Sequence, residues 1–310
     1  MIPLSSSGSE PLLIVGSMAF DDLDLPTVEA RDVVGGSATY ASIAASHFVP
    51  VRAVAVVGGD FPQAAIDDLG KRGVDCAGIE RAEGKTFRWW GRYAKDLCSR
   101  TTLDTQLNVF ADFKPKLPDS FKKSPYVLLG NIHPALQLDV LSQIDKPRLV
   151  AADTMNFWIE GERKLLGQVL EKLDLLVVND EELRQLAGIH NLKRAARAVL
   201  SMGPKRLVVK RGEFGALLFD SDGSFFVPAY PLEDEIDPTG AGDSFAGALL
   251  GVLAQSDSAD RATFRRALHA ASTVASFCVE GVGTKRLGGI DSGSIQKRQA
   301  ELRTLVHPGD

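Results

Sequence analysis

Short apolar runs alternate along the chain with longer segments of helical period. Leu12–Val15, Arg52–Val57, Tyr126–Leu129, Arg148–Ala152, Leu173–Val178 and Arg206–Lys210 are continuously apolar rather than alternating. That pattern suits strands covered on both faces, as in a parallel sheet. Between them lie Ala38–Phe48, Phe61–Arg72, Ala135–Ile144, Glu162–Lys172 and Leu192–Leu200, each amphipathic or rich in small residues and long enough for a helix. Strand–helix–strand repetition predicts an α/β layered fold with a mostly parallel central sheet. Two more helices are expected, one from near Asp243 through Val252 and one over Ala259–Glu280, with a polar, peripheral tail after Asp291.

Two stretches break the rhythm. Ala19–Val34 is acidic, with Asp21, Asp22, Asp24 and Glu29, and has no helical period. Lys85–Phe110 alternates and is rich in aromatic and β-branched residues, including Phe87, Trp89, Trp90 and Tyr93. It predicts antiparallel strands outside the main sheet. A small sheet carrying exposed aromatics would serve as a lid, a partner surface or both.

The 310 residues include 45% hydrophobic and 24% charged positions, which excludes disordered and collagen-like chains. Length allows one large domain or two small ones; the continuous alternation favours a single domain over 1–310. Lys and Arg number 35 against 40 Asp and Glu, a net charge of −5, which argues against a general nucleic-acid binder. Cys76, Cys98 and Cys278 lie far apart and read as free thiols of a reducing compartment. The histidines lack zinc-site spacing. The N-terminus lacks the basic region of a leader, and no apolar run approaches membrane length, so the expected location is the cytoplasm, with no membrane partner.

The most informative segment is Asp237–Gly247, DPTGAGDSFAG, a Gly-rich turn followed directly by a helix. Unpaired N–H groups at a helix start, with the positive end of its dipole, make a seat for phosphate. Asp243 is placed to face that seat and to take a proton from an attacking hydroxyl. An ordinary N-cap Asp is the bland alternative. Asn179 and Glu182, after the strand ending at Val178, stand where open α/β sheets put their ligands, and their oxygens suit Mg²⁺. A helix cap with an acidic first turn explains the same four residues. Two apparent motifs fail. Gly84-Lys85-Thr86 resembles a P-loop end, but Ile79 stands where the first Gly belongs, and Gly240-Ala241-Gly242 leads to Phe245 at the sixth position of GxGxxG. The missing dinucleotide fingerprint removes a redox enzyme from consideration.

The string DPTGAGDSFAGALL closely resembles the C-terminal signature of the ribokinase-like (PfkB-type) carbohydrate kinases. Other landmarks follow in that family's order across about residues 11–290: Gly16-Ser17 with Asp21, Gly35-Gly36, the NxxE of Asn179 and Glu182, and Lys210-Arg211-Gly212 with Gly215. The resemblance implies a three-layer α/β sandwich with a small β-sheet lid, here about 17–33 and 85–110. It implies an ATP-dependent kinase using Mg²⁺. Asp243 would be the base, and Gly240, Ala241 and Gly242 the anion hole. Asn179, Glu182, Lys210, Gly212, Gly215 and Gly242 would attend the nucleotide, with Glu182 reaching Mg²⁺ through water. Asp21, Gly35, Gly36, Tyr40, Asn131 and Asp243 would face the acceptor. Asp237 and Thr239, with backbone near Gly283, match positions that help bind a monovalent cation such as K⁺.

The chain departs from the ribose-type pattern at two positions: Ala19 and Tyr40 stand where Asn is usual. Two amides for sugar hydroxyls are absent, while Phe20, Tyr40, Trp89 and Trp90 offer aromatic surface. The expected reaction is transfer of the γ-phosphate to a hydroxyl, a primary CH₂OH, of a small sugar. A nucleoside kinase is the alternative, and a catalytically idle binding protein on the same fold is the alternative of another class. A homodimer through the lid is expected.

Overall fold

The structure, a computed structural model, describes residues 10–306. The first nine residues of the N-terminal stretch read above lie outside the described residues, as does the end of the tail. Among the described residues thirteen strands form two sheets: β1 Leu12–Val15, β2 Ala19–Asp24, β3 Glu29–Gly35, β4 Val51–Val57, β5 Val74–Arg81, β6 Phe87–Tyr93, β7 Arg100–Gln106, β8 Tyr126–Leu129, β9 Leu149–Asp153, β10 Leu175–Asn179, β11 Arg206–Lys210, β12 Ala216–Asp220 and β13 Gly223–Val227. The large sheet runs β13-β12-β11-β10-β9-β8-β1-β4-β5, and the small one β3-β2-β6-β7. From β5 to β11 every pairing in the large sheet is parallel; β12 and β13 add an antiparallel edge.

The six strands expected from apolar runs all occur in the large sheet, three with the same ends and three with ends shifted by one or two residues. The sequence pattern missed β5, whose residues are mostly exposed at the sheet edge, and the β12–β13 hairpin. Edge strands bury one face or less and so lose the continuous apolar run. Along β1, Leu12 and Ile14 join one core layer while Leu13 and Val15 join the other, so helices cover both faces. The tail corrects an expectation. Ser292–Thr304 is a helix that buries Ile295 and Leu302, and its Arg298 pairs with Glu280 at the end of helix Arg261–Val279.

One packing contact positions the chemistry. Helix Ser37–Ser46 buries nearly every residue, helix Ala241–Ser256 buries Ser244 through Ala254, and both are rich in small side chains. A Cβ at Gly247 would strike the Ala41 carbonyl, so only glycine lets the two backbones approach this closely. Their N-termini therefore meet, and the Gly35-Gly36 turn is carried to the Gly240–Gly242 turn.

In the small sheet β2 pairs in parallel with β6, and β3 and β7 are antiparallel flanks. The sequence ranges expected for this sheet contain its four strands, apart from the last two residues of β3. Paired residues point to one face, so Asp21, Trp89, Tyr93 and Arg100 share a face. Asp22, Asp24, Arg88, Trp90 and Arg92 share the other. That second face is a charge network: Arg88 with Asp22 and Asp32, and Arg92 and Arg31 with Asp24. Among the described residues no helix is long and apolar enough to cross a membrane.

Candidate active site

Helix Ala241–Ser256 is capped by Gly240, which adopts φ 75, ψ 0, a left-handed conformation that glycine accepts without a Cβ penalty. Asp237 is fully buried below the turn. Its carboxylate accepts N–H bonds from Thr239 (2.9 Å) and Gly283 (2.9 Å), which fixes the approach to the helix. The monovalent-cation role expected of Asp237 and Thr239 thus meets groups already engaged, since the Thr239 hydroxyl also donates to Tyr93 at 3.0 Å. Asp243 is the third residue of the helix rather than its N-cap, which corrects the bland reading.

The ends of β9 and β11 meet at the start of the helix that carries Asp243. Lys210, at the end of β11, reaches Asp153 at the end of β9, with Nζ to Oδ2 3.0 Å. The same Nζ lies 2.8 Å from where a Cβ on Gly242 would stand, so the ammonium rests on the turn. Burial and the Asp153 charge push Asp243 up to about 7, against the pull of Lys210 and Arg100. Burial and Asp153 also raise Glu182 to about 7. Three carboxylates, Asp153, Glu182 and Asp243, thus share the Lys210 ammonium. A divalent cation would relieve that imbalance, and carboxylate oxygens suit Mg²⁺. Among the described residues no cluster of three or more acidic, histidine or cysteine side chains is arranged to hold a metal by itself.

Asn179 and Glu182 form a reciprocal capping box: Asn179 Oδ1 accepts from Glu182 N–H (2.7 Å), and Glu182 Oε2 from Asn179 N–H (2.8 Å). The cap explanation is therefore realised, and it fixes the Glu182 side chain at the start of its helix. Gly212 and Gly215 bracket the short turn between β11 and β12 at the same sheet edge.

At the turn expected to face the acceptor, Ser17 and Ser37 exchange bonds, each backbone N–H donating to the other's hydroxyl at 3.0 and 3.1 Å. This clamps the end of β1 to the Gly35-Gly36 turn. Asp21 lies directly over Gly35 and is buried. Burial, then Asp237, Asp243 and Asp22, pushes it up to about 8. Two expectations need correction. Tyr40 and Phe20 are not open stacking surfaces. Tyr40 is 1% exposed with its ring beneath Gly240, and Phe20 is packed between Phe61 and Arg88. The Asn131 amide is occupied as well: Oδ1 accepts from Trp158 Nε1 (2.9 Å), and Nδ2 meets the Met155 sulfur (3.1 Å). Asn131 orders the wall beside the acceptor turn.

Three residues escaped the sequence reading. Asp153 closes a buried strand at the ligand end of the sheet, a signal that was available. Tyr93 ties the small sheet to the glycine turn through Thr239. Arg100 pairs with Tyr93 in the ladder, faces the same way and lowers both Asp243 and Glu182. It was one of four arginines in the small sheet's strands, indistinguishable by composition.

A family model described as pfkB family carbohydrate kinase matches residues 15–287. The chain belongs to the pfkB family. This pfkB-family protein is 28% identical to cytidine kinase of Thermococcus kodakarensis over 247 residues, 77% of this chain and 87% of that one. It is 34% identical to aminoimidazole riboside kinase of Salmonella typhimurium over 120 residues, 39% and 37% of the two chains. Its fold is similar to that of Methanocaldococcus jannaschii nucleoside kinase, with TM-score 0.75 and 18% identity over 95% of this chain and 100% of that one. It is similar again to an E. coli protein solved with ATP and Mg²⁺, with TM-score 0.77 and 21% identity over 94% and 99%. The pfkB-family protein is an ATP-dependent phosphotransferase acting on sugars or nucleosides.

The raised carboxylates of this kinase carry a stability consequence. A group whose folded value lies above its unfolded value contributes stability fully below the unfolded value, and loses it as pH rises through the folded one. For Asp21 that window runs from about 4 to about 8. Asp21→Asn is therefore expected to raise the melting temperature of the unliganded protein at pH 8.5, by about 5–10 °C. The gain should shrink toward pH 5. Differential scanning fluorimetry reads this, and an equal shift at both pH values would contradict it.

Proposed function

We propose that this kinase transfers the γ-phosphate of ATP to a primary hydroxyl of a furanose-sized acceptor. Asp243 removes the hydroxyl proton, and the N–H groups of the Gly240–Gly242 turn meet the charge that develops on the phosphoryl oxygens. Mg²⁺, when bound with ATP, supplies charge neutralisation, and Glu182 would hold it through water. Asp21, over Gly35, orients the acceptor hydroxyls. The small sheet acts as the lid: its Tyr93–Thr239 bond ties it to the turn, and Arg100 brings a positive charge towards Asp243. Closure excludes water and so suppresses ATP hydrolysis. β7 is exposed along its length, which supports pairing of two copies through the lid.

The observation that carries the reading is the convergence of Asp243, the glycine turn and Lys210 at the helix N-terminus. A second reading, a nucleoside acceptor, is favoured by Trp89. It is half-buried on the Asp21 face, lies across Gly91, and is held by its N–H to Thr102 (3.2 Å). It offers a ring for stacking a base where Tyr40 and Phe20 do not.

ADP release with Mg-ATP across pentoses, hexoses, sugar phosphates and nucleosides tests both readings. Nucleoside-dependent turnover that falls about tenfold or more in Trp89→Ala supports the stacking role. Turnover on a free sugar, unchanged in that variant, makes Trp89 a packing residue and leaves the sugar kinase reading. No acceptor-dependent turnover across the panel would overturn the kinase site as drawn and favour the idle binding protein.

A further inference from the structure

The kinase mechanism above leaves one buried acid without a task. Asp153 ends β9, and Lys210 ends β11, with β10 between them. The register puts Asn179 beside Lys210, so the lysine stem crosses the end of a whole strand to reach Asp153. Both Asp153 oxygens are committed, Oδ1 to the Thr154 N–H (2.8 Å) and Oδ2 to Lys210 (3.0 Å). Its backbone is fixed too, since Gln137 Nε2 donates to the Asp153 carbonyl (3.2 Å) and to that of Gly130 (3.0 Å). Asp153 is therefore a rigid point, and a lysine is a point charge on a flexible stem. The far side of the ammonium lies against Gly242.

We propose that Asp153 is a positioning residue that holds the Lys210 ammonium on the Gly240–Gly242 turn, where Lys210 meets the phosphoryl group in transfer. The inference rests on the reading of that turn as the anion hole. A purely structural ion pair would have no reason to lie across β10 against a glycine turn. Its two oxygens hold the Thr154 N–H and the Lys210 ammonium, the arrangement of a group that fixes a neighbour in place. Without Asp153 the ammonium is still present but is no longer held, so the loss should fall on turnover rather than on nucleotide binding.

The test is a double-mutant cycle in the full chain, using ribose or cytidine, whichever the panel turns over. Asp153→Asn is expected to lower kcat by about 30–100-fold, with Mg-ATP Kd by calorimetry within about threefold of wild type. Lys210→Met should lower kcat by about 10²–10³-fold. In the Lys210→Met background, Asp153→Asn should cost nothing further, because there is no ammonium left to place. Asp153→Glu, which keeps the charge, should recover part of the loss. Equal losses in both backgrounds would overturn the proposal and assign Asp153 an independent role. A parallel fall in ATP affinity and melting temperature would overturn it in favour of a structural pair. If Asp153→Asn alone does not fold, the comparison is Lys210→Met against the double variant, which leaves no unpaired ammonium: equal kcat supports the proposal and a further tenfold loss overturns it. A wild type inactive on every acceptor would strike the kinase reading itself, whereas an active wild type equalled by Asp153→Asn would strike only this inference.

Discussion

Asp243→Asn is expected to lower kcat by about 10³-fold, within the range of about 10²–10⁴ typical of a positioned general base, while ATP and acceptor still bind. The substitution keeps the shape of the side chain and removes its charge and with it the capacity to accept a proton. Asp243 is held by the first turn of a buried helix, beside Lys210 and the glycine turn, so the variant should lose chemistry rather than structure. The same residue predicts a pH profile. Burial and Asp153 raise Asp243 to about 7. The base must be ionised to act, so kcat/KM should fall about tenfold per unit as pH drops below 7 and level off above it. A coupled ADP-release assay from pH 5.5 to 9 reads both effects. Turnover of Asp243→Asn within tenfold of wild type would remove the residue from the role of base.

Gly240→Ala should be nearly as damaging, by a different route. The residue sits at φ 75, where a Cβ costs about 1–2 kcal/mol. The added methyl would also fall inside the Tyr40 ring, and that ring is buried, with no room to swing aside. Either the turn or helix Ser37–Ser46 must move. A displaced turn no longer aims its N–H groups at the phosphoryl oxygens, and the loss of one such donor costs about 10²–10³ in kcat. The expected result is a folded protein, less stable by about 1–3 kcal/mol, with kcat reduced by about 10²–10³. Urea unfolding and steady-state kinetics measure the two effects separately. Unchanged kcat with reduced stability would show that the turn is structural only.

Much of this was legible in the chain. The continuous runs at Leu12–Val15 or Tyr126–Leu129 announce two-sided strands because a parallel sheet leaves neither face to water. The glycine turn before Asp243 announces itself because few other residue orders open a helix with free N–H groups and a carboxylate beside them. Asn179 and Glu182 were legible as a pair, though sequence could not choose between a cap and a cation site. The structure realises the cap, which engages one of the two Glu182 oxygens.

The tertiary structure alone decided the rest. Asp21 and Asp22 are adjacent acids, yet one faces the acceptor turn and the other pairs with Arg88 on the opposite face. Arg92 and Arg100 look alike in sequence, yet Arg92 pairs with Asp24 while Arg100 lies on the Asp21 face, where its charge lowers Asp243. Strand side chains alternate with period two, so a register shift of one residue exchanges these roles, and register is fixed by pairing with distant strands. Tyr40 reads as an open aromatic until Gly240, two hundred positions later, lies on its ring. Lys210 and Asp153 become partners only because the strand order sets β10 between their strands. Local pattern determined which residues could do the chemistry; contacts between distant segments determined which way each one points.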